Sequence, residues 1–336
     1  MRNAMGRTTF IRADANPQVG MGHLMRCLSI ADAAKGDIVF VLADDTAKAV
    51  VESRGYRAIV LHTDYRCMEE ELPFWESAAP EMILVDSYFA APSYLSALKE
   101  KALILYMDDL AVYPYPVDIL VNYNIYANSL DYEGLYQSSG IPKPKLVLGP
   151  EYAPLRTMFR NVPPKKQKKQ VRDVLISTGG ADPEHIALKI AEANPKRFVF
   201  HILAGAQNLD RESLRRLEND RLVVHENVTD IRGLFEKMDL AVSAAGSTLY
   251  ELCACGVPTI TYVLADNQIP GADAFDRLGL AENLGDLRTA HNPAGVILDA
   301  VDKLSHDHAR RAAAGERMQN MVDGDGARRI WSAIRT

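Results

Sequence analysis

The chain of 336 residues has little cysteine, no large excess of either charge and no long apolar run, and each shortage removes a class of protein. Its four cysteines, Cys27, Cys67, Cys253 and Cys255, form no CxxC pair. Cys253 and Cys255 are separated by one residue in a helical pattern and face different ways, which argues against a structural zinc site. Free thiols in a chain this long suit a reducing compartment, and a cytoplasmic protein is expected. A net charge of −6 sets up no field that would gather nucleic acid or an anionic membrane. No apolar stretch approaches the roughly 20 residues that span a bilayer, and residues 1–7 lack the apolar core of a signal peptide. Asp44-Asp45 and Asp108-Asp109 are adjacent pairs whose side chains diverge on regular elements, so no acidic cluster suggests a metal, although Asp108-Asp109 ends a strand and either faces the cleft or caps the loop. Neither metal nor organic cofactor is expected. A phosphate-bearing ligand would have to be held by backbone amides and helix N-termini.

What the chain does have is alternation. Short apolar, β-branched runs are separated by amphipathic segments, and strands are expected over 9–14, 37–42, 58–62, 82–86, 103–107 and 119–122. The second half repeats the scheme over 172–177, 198–203, 222–224, 240–243 and 259–262. The clearest helix is 23–35. Near-continuous apolar strands alternating with helices predict an α/β protein with parallel sheets covered on both faces. The expected division is a Rossmann-like domain over 8–160, a second over 171–304, and a helical tail over 305–336 that packs back on the rest. The proline-containing basic stretch 161–170 reads as a solvated linker. Two such domains in tandem place a ligand in a central cleft facing the carboxyl ends of both sets of strands.

The chemistry-bearing residues fall at those strand ends. After Asp14, the loop Ala15-Asn-Pro-Gln-Val-Gly-Met-Gly-His23 leads into the first helix. Gly20 and Gly22 let the backbone turn and approach a ligand. His23 then sits at a helix N-terminus, where the partial positive charge favours a neutral imidazole, the form a general base needs. Asp14 is the expected group to orient the ring. A strand-to-helix turn with a histidine near its cap fits the same residues. A dinucleotide fingerprint fits worse, because Met25 stands where the third glycine would be.

In the second half, Ser243-Ala-Ala-Gly-Ser-Thr-Leu-Tyr-Glu251 is a turn of small residues opening a helix. Gly246, Ser247 and Thr248 would offer amides and hydroxyls to an anion, and Glu251, one turn on, could take ribose hydroxyls. Ser177-Thr-Gly179-Gly180 is a further glycine turn after a strand, either a second phosphate contact or a plain tight turn.

These residues resemble a known group. The stretch from Arg12 to Leu28, Arg-Ala-Asp-Ala-Asn-Pro-Gln-Val-Gly-Met-Gly-His-Leu-Met-Arg-Cys-Leu, resembles the opening signature of the UDP-sugar hydrolases of pseudaminic acid biosynthesis and of relatives in spore-coat polysaccharide synthesis. The stretch from Ser243 to Glu251 is similar to the nucleotide-binding segment of MurG-type, GT-B-fold glycosyltransferases. The resemblance covers most of the chain, from about Thr8 to Asp286. It implies a GT-B fold and a UDP-sugar substrate, UDP-2,4-diacetamido-2,4,6-trideoxy-β-L-altropyranose or a close relative. The implied reaction is attack of water at the anomeric carbon with inversion, giving free sugar and UDP. It makes His23 the catalytic base, with Tyr88 and Asn267 on the sugar side. Gly246, Ser247 and Thr248 would hold the pyrophosphate, Glu251 the ribose, and the region of Val228 the uracil. The chain departs from the family at Asp86-Ser-Tyr88, where Asp-His-Tyr is common, so His23 has less competition as the base. The alternatives are a GT-B glycosyltransferase, a silent nucleotide-sugar-binding module and, more weakly, a nucleotide-sugar 2-epimerase.

Overall fold

The computed structural model describes residues 8–16, 18–193, 197–205 and 207–335. The sequence reading of 1–7, and Pro17 of the His23 loop, lie outside the described residues.

Thirteen strands among the described residues build two sheets, every pairing parallel. The first contains β1 (Thr9–Ala13), β2 (Ile38–Leu42), β3 (Arg57–Val60), β4 (Met82–Asp86), β5 (Leu103–Met107), β6 (Ile119–Asn122) and β7 (Lys145–Leu148). The second contains β8 (Asp173–Ser177), β9 (Val199–Leu203), β10 (Leu222–His225), β11 (Leu240–Ala244), β12 (Thr259–Val263) and β13 (Ala281–Asp286). The α/β expectation holds, and β7 and β13 are additions to it. The strand orders are β3-β2-β1-β4-β5-β6-β7 and β10-β9-β8-β11-β12-β13. In each sheet the chain winds outward one way from the first strand and then reverses. That reversal leaves a switch point between β1 and β4, and another between β8 and β11, the places where open α/β sheets bind ligands.

By packing, the chain to Thr157 together with Asp325–Thr336 forms one unit, and Met158–Gly324 forms the other. In the first unit Phe10, Val39, Val41, Ile83, Val85 and Ile104 meet Trp75, Tyr94, Leu95 and Leu98 from the helices Leu72–Ala78 and Pro92–Lys99. In the second, Val174, Ile176, Phe200, Ile202, Leu240, Val242 and Ile260 meet Ile186, Ile190, Ile297 and Val301. Central strands buried on both faces need apolar residues throughout, which is why their runs are near-continuous. Each such side chain contributes roughly 1.5–3 kcal/mol by burial.

The helices of 305–336 divide between the two units. Helix His308–Met321 lies on the second unit, whereas helix Gly326–Arg335 belongs to the first. There Trp331 Nε1 donates to Ile30 O at 2.7 Å.

The 161–170 stretch is not a loose linker. Arg311, 1% exposed, donates to the carbonyls of Lys168 and Lys169 at 3.0 Å. Gln319 accepts from Lys165 N at 2.8 Å and donates to Pro163 O at 3.1 Å. Pro163 and Pro164 have no amide hydrogen to give, so side chains of a neighbouring helix satisfy the backbone of this extended segment. No helix among the described residues is long and apolar enough to cross a membrane.

Candidate active site

The loop after β1 is organised by Asn16, whose Oδ1 accepts from Gln18 N at 3.0 Å and Val19 N at 2.9 Å. Gly20 N closes it on Asn16 O at 2.7 Å, with Gly20 at φ +79°, a conformation a side chain would strain. The helix Gly22–Asp32 begins directly afterwards, so His23 is its second residue, as the sequence predicts. Gly22 is exposed, and a Cβ there would meet open space.

His23 is buried, and its Nδ1 lies 2.6 Å from Oδ1 of Asp86, at the carboxyl end of β4. Arg26, one helical turn on, bonds the same carboxylate through Nε at 2.6 Å and Nη2 at 2.5 Å. Burial alone would raise the Asp86 carboxyl, but the charges of Arg26 and His23 outweigh it and hold it well below the usual carboxylate range. An ionised Asp86 can only accept, so the proton between it and His23 resides on Nδ1. In the neutral ring Nε2 keeps its lone pair, and Nε2 has no hydrogen-bond partner among the described residues.

Arg26 also reaches both oxygens of Asp109, just past β5, at 3.0 Å. Asp109 accepts from Tyr88 Oη at 2.7 Å and Asn124 Nδ2 at 2.8 Å. Burial first, then the charge of Asp109, pushes the Tyr88 phenol far up. The His23 and Tyr88 rings meet edge to face, 4.6 Å between centroids. Thus residues following β1, β4, β5 and β6 converge at the first sheet's switch point.

The sequence expectation for Asp14 needs correction: the carboxylate meeting His23 is Asp86. The parallel register pairs Ala13 with Asp86, so these two side chains share a face and Asp14 points to the other. There Asp14 pairs with Arg12 and accepts from Ser87 Oγ at 2.5 Å. Arg12 is in turn held by Glu71 at 2.7–2.9 Å. Ser87 is therefore a buried tie to Asp14. Asp108 also differs from its neighbour, since it accepts from Tyr115 Oη at 2.8 Å and Tyr132 Oη at 2.6 Å within the fold.

The sequence does not mark Arg26 or Asp86 as partners of His23, and it marks Asp109 only as one of a pair at a strand end. Arg26 had a usable signal, three residues after His23 and hence on the same helix face. Asn124 lies in a stretch, 118–127, that is rich in tyrosine and asparagine.

In the second unit, the two glycine turns follow β8 and β11, on either side of that sheet's switch point. Gly179 has φ +86°, and both it and Gly180 are exposed. Gly180 O accepts from Gln207 N at 3.1 Å. Gly246 and Ser247 are exposed ahead of the helix Thr248–Ala254, whose first turn contains Glu251. The Gly246 amide is occupied by Ala244 O at 2.8 Å, which removes one expected donor. Val228 follows Asn227, at φ +50°, after β10. Asn267 is exposed in a single turn, Asp266–Gln268, after β12. No group of three or more histidine, cysteine, aspartate or glutamate residues suited to a metal occurs among the described residues.

No protein-family model matches the chain. The UDP-2,4-diacetamido-2,4,6-trideoxy-β-L-altropyranose hydrolase of Campylobacter jejuni is 27% identical over 241 residues, 69% of this chain and 84% of that protein. The spore coat polysaccharide biosynthesis protein SpsG of Bacillus subtilis is 23% identical over 338 residues, 96% of each. An uncharacterized protein of Methanocaldococcus jannaschii is 23% identical over 280 residues, and the chain spans only 56% of its length. Among solved structures, Acinetobacter baumannii MurG matches with a TM-score of 0.67 at 13% identity, over 98% of this chain and 99% of that one. The spinosyn rhamnosyltransferase SpnG matches with a TM-score of 0.66 at 15% identity, over 98% and 100%. The fold is that of the GT-B glycosyltransferases. In sequence the chain is similar to the altropyranose hydrolase and to SpsG.

Proposed function

We propose that the protein hydrolyses a UDP-activated diacetamido-trideoxyhexose at its anomeric carbon, releasing free sugar and UDP. The broader reading, UDP-sugar processing in polysaccharide biosynthesis, draws support from the names of the relatives and the fold of the neighbours. The hydrolytic reading rests chiefly on one observation: His23 is held through Nδ1 by an ionised Asp86, and its Nε2 has no hydrogen-bond partner among the described residues.

In this reading Nε2 takes a proton from water as the water oxygen bonds to the anomeric carbon. The bond from that carbon to the diphosphate oxygen breaks, and its electron pair leaves with UDP. Attack opposite the leaving group inverts the centre. UDP is already a good leaving group, so base assistance of about 10²–10⁴-fold is the main chemical demand. Asp86 offsets the positive charge the ring gains. Tyr88 and Asn267 serve the sugar side. Gly179, Gly180, Ser247 and Thr248 offer amides to the diphosphate, Gly246 lets it approach, Glu251 takes the ribose and Val228 lies by the uracil.

The test is UDP release from a panel of UDP-activated amino sugars with no acceptor present, the product anomer read by NMR. Release of inverted free sugar, lost in His23→Ala while UDP still binds, supports the reading. Turnover only on adding an acceptor alcohol makes the protein a transferase. UDP binding without turnover under either condition makes it a binding module.

A further inference from the structure

Parallel strands covered on both faces call for apolar residues throughout, and one patch of the second sheet breaks that rule. The register sets Asp173 beside Val199 and Val223 beside His201, so Asp173, His201 and His225 share one face. His201 Nε2 lies 3.2 Å from Asp173 Oδ1, and its Nδ1 lies 3.0 Å from His225 Nε2. The other face of these strands is apolar, with Val174, Phe200 and Ile202 packed in the core with Ile186 and Ile190. On the polar face, the helix Ile231–Lys237 and the segment 162–168 leave a cavity of about 700 Å³ within the second unit. Small-molecule sites span roughly 300–1,000 Å³. Its wall includes Asp173, the first residue of β8, whereas the glycine turn at 179–180 follows the other end of that strand. None of the residues assigned above to the nucleotide lines it.

The carboxylates of this cavity are spent within the fold. Asp239 accepts from the amides of Arg172 and Asp173 at 2.9 and 3.1 Å and pairs with Lys168 at 2.8 Å. Glu236 pairs with Arg232 at 2.8 Å, and Asp173 with His201. The cations are not spent: Lys165, Lys166 and Lys237 line the cavity with no carboxylate partner among the described residues. Lys165 is half-buried, its Nζ donates to Glu236 O at 2.6 Å, and burial pushes its ammonium below the usual lysine range. A partly desolvated ammonium without a counter-charge is costly to keep. The backbone that presents it is fixed, since Lys165 N donates to Gln319 and Gln167 Nε2 donates to Gly256 O, both at 2.8 Å. Among the described residues no arginine lines the cavity, so it has no planar fork for a carboxylate. Ammonium groups act as point charges and suit phosphate. We propose that this cavity is a binding site for a small phosphate-bearing molecule, held by Lys165, Lys166 and Lys237, with the His201–His225 pair in its wall. The site is separate from the nucleotide turns and does not depend on the hydrolytic reading.

The experiment titrates inorganic pyrophosphate into the whole chain and follows the ring signals of His201 and His225 by NMR. Both should shift to saturation, while glucose, or sodium chloride at matched ionic strength, should leave them in place. Lys165→Gln and Lys237→Gln should each weaken binding about tenfold or more. Lys237 is exposed, so its substitution reports on the site even if Lys165→Gln fails to fold. Citrate, a carboxylate of comparable charge, should bind at least about tenfold more weakly than pyrophosphate. Pyrophosphate at the glycine turns is read separately, from the amides of Gly179 and Gly180, so the two sites stand or fall apart. Ring signals that pyrophosphate leaves unmoved, or shifts that survive in the folded variants, would overturn the site. Citrate binding as tightly as pyrophosphate would overturn the assignment to phosphate.

Discussion

His23 and Asp86 are 63 residues apart in the chain and meet at 2.6 Å, Nδ1 to Oδ1. Parallel pairing of β1 with β4 makes this possible, because it brings the two strand ends level at the switch point. An asparagine at 86 could donate as well as accept and would no longer fix the tautomer. Asp86→Asn should cut kcat by about 10²–10⁴-fold. UDP affinity, measured by calorimetry, should stay within about threefold, because the nucleotide is assigned to the second unit.

The same carboxylate sets an acid limit on stability. Its folded pKa is depressed, so the stability it contributes is fully present above the unfolded aspartate value of about 3.9. That contribution is lost as pH falls through the folded value, which lies below the usual range. Urea melts should show Asp86→Asn less stable than wild type near neutral pH. The difference should shrink in acid solution below about pH 4. A difference that did not shrink there would contradict this assignment.

Asp14 should behave as a structural residue. Its partners Arg12 and Ser87 are buried with it, so Asp14→Asn weakens a charged pair and leaves Arg12 to Glu71. The expected cost is roughly 1–3 kcal/mol in stability. Turnover of the folded protein should fall less than about threefold, against a loss at least tenfold greater for Asp86→Asn. Parallel melting curves and kinetics would separate the two carboxylates.

The fold was legible in the sequence wherever strands are buried on both faces, as for β1, β2, β4 and β11. The two strands it missed are outer ones. β7 is four residues long behind a proline-rich stretch, and β13 reads Ala-Glu-Asn-Leu-Gly-Asp with most residues half-exposed. An outer strand needs no continuous apolar run, so it leaves little pattern. The site was half legible. The glycine turn and helix start located His23, but its partner depends on which face Asp14 takes, and the nearer carboxylate in sequence was the wrong one in space. Pairing between distant strands has no local signature.

Gly205 offers a test of the glycine turn in the second unit. A Cβ there would overlap the carbonyl oxygens of Gly179 and Gly180, which are backbone and cannot swing aside. Gly205→Ala should push that turn outward at a cost of about 1–3 kcal/mol. If the turn holds the diphosphate, UDP affinity should fall at least tenfold while the histidine ring signals of His23 stay put in NMR spectra. Unchanged affinity would remove Gly179 and Gly180 from the nucleotide site.

The last helix, Gly326–Arg335, buttresses the helix that carries His23 and Arg26. Ile330 is fully buried, and Trp331 Nε1 satisfies Ile30 O, a carbonyl in the last turn of Gly22–Asp32. Ile330→Ala should cost about 2–5 kcal/mol. Because the support lies at the far end of that helix from His23, the defect should appear as a lower melting temperature with kcat retained at low temperature. Trp331→Phe keeps most of the ring and removes the hydrogen bond, so its cost should be nearer 1 kcal/mol. Loss of kcat in a still-folded Ile330→Ala protein would instead mean that the helix C-terminus controls where its first turn stands.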